Sequence, residues 1–289
     1  MNTSILICTH KEFNYIPDNS FLPIHVGKEN STTILPYQTD NKGINISSKN
    51  KNYCELTALY WAWKNLNDVT TIGLCHYRRF FDFSGTKNSI ETIEINEPYF
   101  LNYFENYCFH DNYLEGFDII LPKKIVKTRS LFSHYSLSHL PKDFHILEKT
   151  LIRLYPEYEA SFKKTMFETN SFSPFNMFVA SKELADNYSN WLFTILENVE
   201  QQLTISTNPY QERVLGFMSE RLLNVYVNHH KLKVKYFPVH LITNKVKSNS
   251  LAIKKIIESY NNIIFWFRKM VVRKIATNSI YFVIAIISR

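Results

Sequence analysis

TTIGLCHYRR, residues 70–79, is the stretch on which the reading of this chain turns. Its first half is the β-branched and apolar run of a buried strand, and it ends in an imidazole, a phenol and two guanidinium groups. If the strand continues through Arg79, alternation puts Ile72, Leu74, His76 and Arg78 on one face. Gly73, Cys75, Tyr77 and Arg79 then lie on the other. Arginine is rarely buried without a partner, so two in succession at a strand end require carboxylates or phosphates. An internal pair with Glu55 or Glu220 would satisfy either one alone. For His76, Tyr77, Arg78 and Arg79 as a group the pattern favours an anion, because a guanidinium fork matches a diphosphate bidentately and a lysine does not.

Outward from this strand, the chain alternates strand and helix. SILICTH (4–10) and LPIHVG (22–27) read as buried strands, and YCELTALYWAWKNL (53–66) has a helical apolar rhythm through Leu56, Leu59, Tyr60 and Trp63. A helix is expected over 97–116, opened by Pro98 and closed by Gly116, then the strand FDIILPKK (117–124). Helices follow over 142–155 and 157–168, a strand over 176–181, long helices over 182–203 and 209–230, and a last strand over 233–242. This order predicts an α/β fold, an open and mostly parallel sheet flanked by helices, with a helical C-terminal half. Such sheets bind ligands beyond the carboxyl ends of their strands, which here are CTHKE (8–12) and CHYRR (75–79). Thr9, His10 and Lys11 are therefore candidate nucleotide contacts.

Composition narrows the chemistry. Six glycines in 289 residues leave no G-x-G-x-x-G and no Walker loop, so a bound phosphate must be held by side chains or helix N-termini. The four cysteines form no C-x-x-C pair and read as reduced residues of a cytosolic protein, and MNTSILICTH lacks the basic region of a signal peptide. Most of the net charge of +7 sits at the end, where residues 251–289 hold seven basic side chains and one acid, leaving about +1 for the rest. Nucleic acid is therefore not the expected partner. Residues 246–289 read as a basic, apolar helical tail appended to a domain spanning 1–245. The uninterrupted apolar run after Lys274 is too short to span a bilayer, which suits a helix lying in a membrane interface or packed on the body.

NYCELTALYWAWKNLNDVTTIGLCHYRRFF (52–81) resembles the signature of the DUF4422 family of bacterial capsule and exopolysaccharide glycosyltransferases. SHLPKDFHILEK (138–149), YPEYEASF (155–162), SPFNMFVASKEL (173–184), NWLFTILENVE (190–200) and YQERVLGFMSERLLNVYV (210–227) follow in the expected order. The resemblance implies a GT-A-like fold and a UDP-sugar donor, with galactose or galactofuranose as the sugar. It also implies transfer to a lipid-linked or oligosaccharide acceptor in capsule, O-antigen or exopolysaccharide assembly, on the cytoplasmic face of the inner membrane. The basic tail over 251–289 would hold the enzyme at that surface.

Many GT-A enzymes hold the donor diphosphate through a metal on an Asp-x-Asp motif, and this chain contains none. Arg78 and Arg79, with His76, are expected to replace the ion and offset charge on the leaving nucleotide. No cofactor is expected on this reading, although Mn²⁺ or Mg²⁺ stays open. Glu55 is a candidate orienter of either arginine. An inverting transfer needs a general base, for which Asp143, with His139 four residues earlier, and Glu220, seven residues after Arg213 on one helix face, are the candidates. Each has a plain alternative: Asp143 as a first-turn helix acid and Glu220 as half of a salt bridge. A retaining mechanism stays open. So do a nucleotidyl- or phosphotransferase using the same arginines and a non-catalytic sugar-nucleotide or polysaccharide-binding module.

Overall fold

A computed structural model describes residues 2–84, 90–96, 100–105, 107–244 and 256–270. Twelve strands and nine helices are seen among them. The strands are β1 (Thr3–Thr9), β2 (Phe21–His25), β3 (Gln38–Thr39), β4 (Thr71–His76), β5 (Arg79–Phe81) and β6 (Ile90–Glu94), then β7 (Ile119–Pro122), β8 (Ile125–Val126), β9 (Ser171–Phe172), β10 (Phe178–Ser181), β11 (Val234–Phe237) and β12 (Val239–Thr243). The helices are α1 (Asn50–Tyr53), α2 (Leu56–Asn65), α3 (Phe100–Glu105), α4 (Leu131–Ser138), α5 (Pro141–Leu154), α6 (Glu159–Glu168), α7 (Lys182–Glu200) and α8 (Val214–His229). The ninth, α9, spans 256–270.

The central sheet runs β11-β7-β10-β4-β1-β2-β3. All its pairings are parallel except those of β10, which lies antiparallel between β4 and β7. The strands are buried on both faces, as the sequence runs predict. Leu6, Ile72 and Leu74 join a core shared with α2, α5, α7 and α8, while Ile5, Ile7 and Cys75 join an aromatic core with Phe80, Phe104 and Tyr107. An α/β fold of mostly parallel strands flanked by helices is therefore what the chain adopts.

Four local expectations are corrected. The strand expected to run through Arg79 ends at His76, turns at Tyr77 and Arg78, and returns as β5, so that His76 pairs with Arg79. The helix expected over 53–66 is broken at Cys54, whose φ of 53° and ψ of −131° no helix accommodates; Asn50 Nδ2 donates to its carbonyl at 2.7 Å. Among the described residues of the expected helix 97–116, α3 and a 3₁₀ turn at Asp111–Leu114 are helical, and between them the Phe109 amide donates to the Asp18 carboxylate at 3.1 Å; residues 97–99, with Pro98, and 106 lie outside the described residues. The last strand is divided by Pro238, which lacks an amide to continue the ladder. β11 extends the sheet beside β7, whereas β12 crosses to pair with β5 and β6.

Candidate active site

β1, β2, β3, β4 and β7 all point their carboxyl ends at one edge, and the reversed β10 brings its amino end there. Residues leaving these strands therefore converge on a cleft of two joined compartments, about 390 and 330 Å³ in volume. Each is the size of an ordinary small-molecule site. The larger is lined by His10, Lys51, Tyr77, Arg78 and Glu212. The smaller is lined by Lys127, His134, His139, Tyr210, Phe217, Glu220 and Arg221. Cys54, Glu55, His76, Arg79 and Arg213 form the wall common to both.

The tight turn decides which arginine enters. Residues opposite each other in an antiparallel pair share a face, so His76 and Arg79 both look into the cleft, where alternation along a continuous strand would have separated them. Arg79 is half-buried, its guanidinium lies 4.8 Å from the Phe175 ring centre, and its Nε is buried without a hydrogen-bond partner. Burial pushes its pKa down and Glu55 opposes that shift. Arg78 is exposed at the rim, over the Tyr77 ring at 5.0 Å. The turn is anchored by the Tyr77 amide donating to Cys8 O at 3.1 Å and by the Tyr15 hydroxyl donating to Tyr77 O.

The acids expected to tie these arginines are engaged elsewhere. Glu55 accepts from Asn176 Nδ2 at 2.7 Å. Glu220 accepts from the Phe175 amide at 2.7 Å and forms an ion pair with Arg221. Both hold Phe175 and Asn176, consecutive residues with φ of 75° and 55° in the left-handed region that side chains disfavour. His76 Nε2 donates to Phe175 O at 2.8 Å, and burial depresses its pKa despite Glu55; the neutral ring then carries its free lone pair on Nδ1.

The other candidates separate. His10 lines the larger compartment and packs edge-on to Tyr77 at 5.5 Å, and Lys11 lines an adjoining hollow with Arg78. Thr9 is buried, and its hydroxyl both donates to Lys11 O (2.5 Å) and accepts from Lys11 N (3.0 Å), closing the loop. Arg213 lies just before α8 with its Nε 3.3 Å from Cys54 Sγ, on the same cleft as Glu220. His139 packs against both Phe217 (4.0 Å) and Tyr210 (5.5 Å), which also touch each other at 5.1 Å. Asp143 is in the first turn of α5, buried and outside the lining of both compartments, with its pKa raised by burial.

Sequence reasoning missed Lys127, His134, Asn176 and Arg221. Arg221 is buried, with its guanidinium over the rings of Phe172 (5.1 Å) and Tyr135 (5.6 Å), and it sits next to Glu220 in the SERLLNVY block. Helical spacing pointed from Glu220 to Arg213 and passed over the adjacent residue. His134 and His139 are pushed down to about 4, chiefly by burial, with Arg221 contributing to both. The positive charge of the cleft at neutral pH thus comes from lysine and arginine. Lys51, Arg78, Arg79, Lys127, Arg213 and Arg221 face only Glu55, Glu212 and Glu220. Among the described residues, no trio of His, Cys, Asp or Glu ligand atoms in the cleft is close enough to share an ion.

The family of sequences described as Domain of unknown function (DUF4422) matches residues 4–231. The chain belongs to the DUF4422 family. The match covers every residue of the cleft named above, while β11, β12 and α9 of this DUF4422 protein lie beyond it. The apo structure of WbbM, a bifunctional glycosyltransferase, superposes with a TM-score of 0.77 at 30% identity, over 87% of this chain and 48% of that one. The chain thus spans about half the length of that neighbour and shares its fold over that half. No curated protein matches it.

Proposed function

We propose that this DUF4422 protein is a glycosyltransferase that uses Arg79, with Arg78, to hold the diphosphate of a nucleotide-sugar donor. The observation that carries the reading is the Arg79 guanidinium, set in the wall between the compartments with a buried, unpartnered Nε. The fold shared with WbbM supports it. The nucleotide occupies the larger compartment, near His10, and the sugar and acceptor meet in the smaller one. UDP-galactose or UDP-galactofuranose is the donor, and the acceptor is a lipid-linked or oligosaccharide glycan of capsule, O-antigen or exopolysaccharide assembly. The protein works on the inner face of the cell membrane.

As the bond from the anomeric carbon to the phosphate oxygen breaks, negative charge grows on the departing diphosphate. Fixed guanidinium groups stabilise that charge without reorganising, which is the task a metal performs in other transferases. Glu220 reaches the acceptor side and is the general base of an inverting transfer, receiving the acceptor hydroxyl proton. Its ion pair with Arg221 fixes its position. Asp143, outside the lining, acts on the fold alone. The test is nucleotide release across a panel of UDP-, GDP- and TDP-sugars with EDTA present. Arg79→Ala is expected to lower turnover by about 10²-fold with the fold intact, in line with loss of one preorganised charge-stabilising donor, and Arg78→Ala less. A strict Mn²⁺ or Mg²⁺ requirement set by donor concentration, or an Arg79→Ala enzyme of full activity, would refute the arginine clamp.

A further inference from the structure

Away from the cleft, β12 carries a second concentration of polar chemistry. His240 is 1% exposed, yet neither ring nitrogen has a hydrogen-bond partner. Its Nε2 lies 3.1 Å from Asp82 Oδ1 and its Nδ1 3.6 Å from Glu91 Oε2. Asp82, at the end of β5, is fully buried, and its Oδ1 is oriented by the Ser84 amide at 3.0 Å and by the Ser84 hydroxyl. Glu91 lies directly across from His240 in the β6–β12 ladder, with its side chain 43% exposed. Tyr103 stands edge-on to the imidazole at 4.6 Å, and its hydroxyl is also buried without a partner. One ligand atom from each of Asp82, Glu91 and His240 falls within 4.8 Å of the others.

We propose that Asp82, Glu91 and His240 bind one divalent cation of the zinc class, which ties β6 and β12 to β5. Two carboxylate oxygens and an imidazole nitrogen brought within 4.8 Å of one another, with Asp82 and His240 buried, are a donor set that suits a dication of the zinc class. Tetrahedral zinc at about 2.0–2.2 Å from its ligands needs donor atoms roughly 3.4 Å apart. Asp82 Oδ1 and His240 Nε2, 3.1 Å apart, are already close to that spacing. An ion there binds Nε2, so Glu91, whose 3.6 Å contact is with Nδ1, must swing toward Asp82, and its half-exposed side chain has the freedom to do so. The Ser84 donors are the outer hydrogen bonds that fix a ligating carboxylate. An imidazole ligand selects zinc over magnesium or calcium, which prefer all-oxygen sites. Because β12 also pairs Leu241 with Arg79, the ion would brace the base of the hairpin that carries both arginines.

The full chain, purified without a metal-chelating tag, is loaded with Zn²⁺, dialysed into metal-free buffer and analysed for bound metal by mass spectrometry, alongside its thermal midpoint. About one zinc per chain is expected to remain, with the midpoint raised by Zn²⁺, lowered by EDTA and unmoved by Mg²⁺ or Ca²⁺. Glu91→Gln, at a half-exposed position that leaves the core intact, is expected to weaken zinc binding at least about tenfold and to abolish the response of the midpoint. His240→Gln removes the ion altogether. Absence of retained zinc in the wild type, or equal retention in Glu91→Gln, would overturn the proposal and leave His240 as a buried residue lying between two acids. Neither readout uses sugar transfer, so the site stands or falls apart from the arginine clamp.

Discussion

Arg79 owes its position to a reversal of the chain rather than to the strand before it. The two-residue turn at Tyr77 and Arg78 places it opposite His76, and the pair presents a charged guanidinium and a neutral imidazole to the same cleft. The histidines behind them make a pH prediction. His134 and His139 titrate near 4 in the folded chain against an ordinary value of 6.5. As pH falls below about 6.5 the unfolded chain takes up these protons and the folded chain does not, so their contribution is complete above that pH and lost on the way down to about 4. The thermal midpoint is expected to drop across this window, and a His134→Asn variant to show a shallower slope. An identical slope in the variant would show that His134 is not held neutral. That the HYRR residues gather at a cleft was legible in the sequence, but which of them face it was not, because alternation holds only while a strand continues.

Among the elements, β4 is closely packed on both sides at its glycine. A Cβ at Gly73 would lie 2.9 Å from Val179 Cγ2, 3.0 Å from the Phe178 carbonyl oxygen and 3.1 Å from Ile5 Cγ1. Backbone on one side and a neighbouring strand on the other leave little room to yield. Gly73→Ala is expected to destabilise the protein by about 1–3 kcal/mol, the usual cost of overpacking, read as a lower denaturant midpoint at unchanged slope. The strands β1, β2, β4, β7 and β10 were legible because each is a short apolar run bounded by polar residues. β6 was not, since IETIE has every residue partly exposed and no buried face to mark it. The break at Cys54 was hidden for another reason: a left-handed residue in an apolar helical rhythm has no signature in composition. It coincides with the closest approach of α8, where a Cβ on Gly216 would come 3.1 Å from Cys54 Sγ. Glu55 and Asn176 became visible as partners only once β10 was seen to run backwards.

For the whole molecule, α9 is the described part of the tail, the rest of which, residues 246–255 and 271–289, lies outside the described residues. One face docks: Asn261 donates to Val126 O at 3.0 Å, Asn262 accepts from Asn170 at 3.0 Å and Phe265 is buried. The other face is an exposed stripe of Ile256, Tyr260, Ile263, Phe267 and Met270 at helical spacing. No helix among the described residues is long and apolar enough to cross a membrane. A stripe of this kind beside Arg268 and Lys269 suits an anionic lipid surface. Replacing Ile263 and Phe267 by serine is expected to reduce co-sedimentation with phosphatidylserine vesicles while leaving the fold unchanged. Equal sedimentation would remove the membrane from the account. The reversed β10 has a consequence for synthesis. β4 emerges from the ribosome about a hundred residues before the strand that covers its second edge. At ~5–20 residues per second that edge stays without β10 for roughly 5–20 s, an interval in which the nascent chain carries an open apolar strand edge of the kind that invites aggregation.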